Sequence, residues 1–117
     1  MKKVFEVGLI CEFEGGGRRV LMADNDRLFA NAKMYLLGAV DKHSEEMEVL
    51  YGDADDEFRK KYADECQQQL AAIRRESSNA RDDLNNSKSM DDLRKIRMGE
   101  SSLMVIVDER EVLGGTH

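Results

Sequence analysis

The sequence predicts an α+β fold with the order β-β-α-α-α-β. An N-terminal β-hairpin leads into a long antiparallel helical hairpin and a short third helix. A C-terminal strand then completes a small three-stranded sheet. Three observations predict this: apolar residues alternate with period two near the start, recur at steps of three and four through the middle, and form an unbroken run near the end.

Over residues 4–13, Phe5, Val7, Leu9, Cys11 and Phe13 fall on one face, with Glu6, Gly8 and Glu12 on the other. Period two with β-branched and aromatic members reads as a half-buried strand. Gly15, Gly16 and Gly17 follow, and glycine reaches the positive φ that a tight reversal needs. Arg18, Arg19, Val20, Leu21, Met22 and Ala23 read as the return strand of a β-hairpin.

Asp24, Asn25 and Asp26 supply a capping oxygen and negative charge for a helix start. From there Leu28, Ala32, Leu36, Ala39, Val40, His43, Met47, Leu50 and Tyr51 trace one amphipathic face. About 26 residues at 1.5 Å each make a helix roughly 39 Å long. Gly38 lies inside it, and a kink or a close helix crossing there would explain a glycine. Gly52, Asp53, Ala54 and Asp55 are stop-then-start chemistry, a C-terminal cap followed by the next N-cap.

A second apolar seam steps through Phe58, Tyr62, Cys66, Leu70, Ile73, Ser77, Ala80 and Leu84, as in a coiled coil. The short turn between the helices forces them to pack antiparallel, giving a hairpin over about residues 25–86. Asn85, Asn86, Ser87 and Lys88 break the pattern. Ser89, Met90, Asp91 and Asp92 then begin a short helix that turns Met90, Leu93 and Ile96 inward. Residues 102–108 are apolar on both faces, which suits a central strand. Glu111, Val112 and Leu113 extend or briefly pair with it, and residues 114–117 read as a frayed tail.

A chain of 117 residues fits one domain, 1–117. Charged residues make up 36% and aromatics 6%, a mix suited to long solvated helices. No uninterrupted apolar stretch reaches membrane-spanning length. Glu6, Glu12 and Glu14 interrupt what a signal peptide would keep apolar, so a cytoplasmic location is expected. Cys11 and Cys66 then read as buried free thiols. The net charge of −6 is concentrated in residues 41–65, where ten acidic side chains outnumber four basic ones. That layout excludes a basic nucleic-acid binder, and the arginines and lysines of residues 74–97 lack interleaved aromatics for base stacking.

The sequence carries clustered acidic groups and no catalytic set. Asp53, Asp55 and Glu57 resemble the opening ligands of a calcium loop. The sixth position, which needs glycine, is Phe58, and the twelfth, which needs glutamate, is Asp64. Acidic residues at a helix start are favoured by the dipole in any case. Glu45, Glu46 and Glu48 surround Met47, which the seam turns inward, so they point away from where a Mg²⁺ site between helices would lie. His43 reads as a boundary residue and His117 as part of the tail, and no Cys–His spacing marks a dyad or a zinc site. The three glycines at 15–17 precede a strand, so they lack the helix dipole of a phosphate loop. No catalytic residue, metal or cofactor is therefore assigned, and none of these patterns is specific enough to assign a family.

The leading expectation is a non-enzymatic protein-interaction module of the inhibitor, adaptor or assembly-chaperone kind. Its acidic tip, Asp53, Asp55, Asp56 and Glu57, would meet a protein partner. A 39 Å hairpin also outruns strands of about 20 Å. The seam of Met47, Leu50, Tyr51, Phe58, Tyr62, Cys66, Leu70 and Ile73 would then favour a homodimer or higher oligomer. The alternative is a small-molecule or nucleotide binder with a pocket between sheet and helices or between subunits, in which Arg18, Arg19 and Arg110 contact an anion. A metal-dependent hydrolase is the third reading.

Overall fold

A computed structural model describes residues 2–11, 17–52, 56–98 and 103–112, with side chains over 3–10, 18–49, 57, 61–98 and 105–110. The elements are β1 (Lys2–Cys11), β2 (Gly17–Ala23), α1 (Leu28–Gly52), α2 (Asp56–Asn86), α3 (Met90–Arg94) and β3 (Leu103–Val112). The order is β-β-α-α-α-β, and the three strands form one antiparallel sheet in the order β2-β1-β3. The turn glycines Gly15 and Gly16, the strand end at Phe13, Gly99 and the tail at 114–117 lie outside the described residues.

Antiparallel partners point to the same face, so the register sorts the sheet's side chains. Val7 stands opposite Val20 on one side and Val107 on the other, Phe5 opposite Met22, and Leu9 opposite Val105. On this face Phe5, Val7, Leu9, Val105 and Val107 are buried against the helices. Leu28, Ala32, Leu36, Ala39 and Val40 of α1, Ala80 and Leu84 of α2, and Leu93, Ile96 and Met98 complete the core. The period-two and period-3.6 faces meet as the alternation requires.

The other face carries Val4, Glu6, Gly8 and Ile10. Glu6 is not a solvated residue there; it is buried. Gly8 has a positional reason of its own. A Cβ at this site would stand 1.9 Å from the Arg18 carbonyl oxygen and 2.8 Å from Arg19 Cα, so only glycine lets the backbones of β1 and β2 come this close.

One expectation about the sheet is corrected. The apolar run of residues 102–108 suits a central strand, yet β3 lies at an edge and β1 occupies the centre. A strand's place is set by which strands its backbone reaches, and β1 alone is connected so as to pair on both sides.

The helix ends follow local chemistry. The Asn25 side-chain oxygen accepts from the Arg27 N–H at 2.9 Å, and the Asn25 carbonyl accepts from the Leu28 N–H at 3.1 Å. At α3, Ser89 is the N-cap and its hydroxyl accepts from the Asp92 N–H at 3.3 Å, while the Asp92 carboxylate accepts from the Lys88 N–H at 2.8 Å. This reciprocal pair is a form of capping box.

Gly38 needs a second correction. It lies on the exposed face of α1 with open space where a Cβ would stand, so it marks no close crossing, and α1 runs unbroken. The break comes instead in α2, at Tyr62, whose backbone is non-helical (φ −127°, ψ 25°). The Lys61 ammonium sits 5.4 Å from the Tyr62 ring centroid. Successive residues of a regular helix diverge, so this contact fits the local break. Nothing in the neighbouring sequence, such as Pro or Gly, accounts for it.

Candidate functional site

The helical hairpin divides into two parts. Up to Val40 in α1, and from Ala80 onward in α2, the apolar face is buried in the core shared with the sheet. Beyond that, α1 continues for twelve residues to Gly52, about 18 Å of helix. In this distal part His43, Met47, Tyr62, Leu70 and Ile73 are only half-buried, Val49 is 60% exposed, and Cys66 is a buried free thiol. Ser77 is fully buried, and its hydroxyl has no hydrogen-bond partner among the described residues.

Ion pairs hold the two helices in register. Arg81 donates to Asp41 at 2.7 Å and Arg74 to Glu48 at 2.6 Å. A seven-residue advance along α1 is matched by a seven-residue retreat along α2, as antiparallel packing demands. Nearer the sheet, Lys33 Nζ donates to the Asn85 carbonyl at 3.0 Å. Glu48 thus faces an arginine of the neighbouring helix from the flank of the seam. Glu46 pairs with Arg18 of β2. Asp41, Glu46 and Glu48 of this helix are thus each matched to an arginine, and a shallow groove between the helices is lined by Asp41, Ser44, Glu45, Glu48, Arg74 and Arg81.

The arginines considered for anion binding do not converge on a shared site. Arg18 lies on the helical face with Glu46. Arg19 and Arg110 lie on the open face and clamp Glu6 from the two flanking strands. Arg19 Nη1 is 3.0 Å from Glu6 Oε1, and Arg110 Nη2 is 2.6 Å from Glu6 Oε2. The second contact is close but not aligned as a hydrogen bond, so Oε2 is held by charge alone. This clamp ties all three strands together, and period two alone puts Glu6 on the face opposite Phe5, Val7 and Leu9 without showing its partners. The detectable signal was a carboxylate mid-strand with arginines on both segments that flank it in the sheet.

The acidic tip is mostly beyond view. Asp53 and Asp55, and the side chains of Leu50, Tyr51, Asp56 and Phe58, lie outside the described residues. Glu57 is exposed. Among the described residues, no group of three His, Cys, Asp or Glu side chains could hold a metal ion, and no helix is long and apolar enough to cross a membrane.

No family model matches the sequence, and neither the curated proteins nor the solved structures provide a match. Function must therefore be argued from this chain's own geometry.

An open groove of about 530 Å³ is lined by Val105, Ile106, Val107, Asp108 and Glu109 of β3 together with Arg94 and Arg97. Residues of a strand alternate between its faces, so a groove touching five in succession follows the strand's backbone edge. Sequence reasoning missed Arg94 and Arg97 as groove residues, because only the tertiary path after α3 sets them beside β3.

Proposed function

We propose that the chain is a non-enzymatic protein-interaction module, of the inhibitor, adaptor or assembly-chaperone kind, that presents its helical hairpin to another protein. The observation that supports this reading is the distal hairpin. It reaches past the core and keeps Met47, Val49, Tyr62, Leu70 and Ile73 partly in contact with water. Helix-in-groove and helix-on-helix recognition use such apolar anchors with a charged surround. The acidic composition of residues 41–65 would direct the arm toward a basic partner surface.

The nucleotide-binding alternative has less support. Arg18, Arg19 and Arg110 each face an internal carboxylate, so an anion would have to displace Glu46 or Glu6. A metal-dependent hydrolase would need carboxylates facing one another, and among the described residues Asp41 and Glu48 instead face Arg81 and Arg74.

Native mass spectrometry of protein purified gently from the cells that make it tests the proposal. The expected result is kilodaltons of added mass beyond a whole number of copies of the chain. That mass should disappear in a Met47→Glu, Val49→Glu variant whose melting temperature is unchanged. Added mass of several hundred daltons, as from a nucleotide, would overturn the reading, as would a partner that the variant retains.

A further inference from the structure

β3 has the sequence of an interior strand and the position of an edge strand. Val105, Ile106 and Val107 are apolar on both faces, yet among the described residues no strand lies on its far side. α3 packs beside β3 and Arg97 makes one backbone pairing, so the cover next to the β3 edge is short, and an open groove runs between Arg94, Arg97 and that edge. An edge strand leaves every second backbone N–H and C=O unpaired, and single-domain proteins normally blunt it with proline, a bulge or a covering element. The ten residues of β3 contain neither proline nor glycine. β2, the opposite edge, is shorter and carries Arg18 and Arg19 with no acidic residue, so two copies of it would offer no charge match.

We infer that this groove takes the β3 strand of a second copy of the chain, joining two three-stranded sheets into one of six strands. Charge layout selects that occupant. The first half of β3 is apolar and its second half carries Asp108, Glu109 and Arg110. Antiparallel pairing sets the acidic half of one strand against the apolar half of the other. A two-fold axis at Val107 brings Asp108 of one copy opposite Ile106 of its partner, and Glu109 opposite Val105, beside the partner's arginine wall. Symmetry repeats the match, which is the self-complementarity an isologous interface requires. Paired residues share a face, so the helices of both copies stay on one side of the joined sheet and both hairpins remain free. The inference goes beyond the proposed hairpin function and does not depend on it.

Sedimentation velocity of the full chain at tens of micromolar tests it with two charge-reversed variants. One is Arg94→Glu with Arg97→Glu; the other is Asp108→Lys with Glu109→Lys. The unmodified chain should sediment as two copies, and each variant alone as one. An equimolar mixture of the two variants should regain the two-copy species, because every reversed wall then meets a reversed strand. That recovery also shows that both variants fold. A single-copy unmodified chain would overturn the inference and leave the hairpin reading standing. A two-copy species that survives both reversals, or that Met47→Glu with Val49→Glu dissolves, would place self-association elsewhere.

Discussion

Two glycines in this chain have opposite meanings, and the difference is a matter of a few ångströms. At Gly8 a methyl group would stand 1.9 Å from the Arg18 carbonyl oxygen, a backbone atom that cannot swing aside. Gly8→Ala should therefore separate β1 from β2 and cost about 2 kcal/mol or more, in the range of overpacking. At Gly38 nothing lies within 4 Å of the same added atom. Gly38→Ala should stabilise the protein by about 1 kcal/mol, because alanine loses less backbone entropy on entering a helix. Urea denaturation of the two variants checks both signs; equal effects would contradict the packing described. Both glycines were visible in the sequence, but the space around them was not. Glu6 makes the same point, since its clamp forms only when two segments far apart in sequence become its neighbours.

The stability of α3 is tied to a titrating group, Asp92. The Lys88 N–H donates to the Asp92 carboxylate, and this holds the carboxyl below its ordinary value of 3.8, helped by the nearby Lys95 charge and by Ser89. A carboxyl whose folded-state pKa is depressed adds stability above its unfolded pKa, and loses it as pH falls through the folded value. Melting curves of the unmodified chain and of Asp92→Asn should accordingly differ near neutral pH and converge as the solution is acidified below pH of about 4. A gap that stays constant with pH would show that the charge is not involved. The start of α3 at residues 89–92 was legible in the sequence, as were the boundaries of both long helices, because caps and periodicity are local. The edge position of β3 was not legible. A run apolar on both faces says only that both faces can be buried, and strand order depends on partners distant in the chain.

The whole molecule measures 58 × 34 × 18 Å, with a Cα radius of gyration of 16.9 Å, against about 13 Å for a compact chain of this length. The excess length fits a hairpin that continues past its core. Its distal part is held by the exposed pairs Arg74–Glu48 and Arg81–Asp41, each worth about 1 kcal/mol or less. Amides of residues 41–49 and 61–73 should therefore exchange with solvent faster than those of residues 28–40, through local opening that leaves the core intact. Hydrogen exchange read by mass spectrometry measures this, and uniform protection along α1 would show that the distal hairpin has support not described above. Protection gained in the same amides on adding a partner would locate its contact.

The sequence by itself determined the class of every element, the buried faces of α1 up to Val40 and of α2 from Ala80, and the antiparallel fold-back of the hairpin. Each depends on period, caps and a short connection, all properties of neighbouring residues. Only the tertiary structure decided the strand order, the burial of Glu6, the close approach at Gly8, the open surroundings of Gly38, the break at Tyr62 and the groove beside β3. These depend on which distant segments meet, and a chain's local pattern carries the capacity to be buried without naming what will cover it.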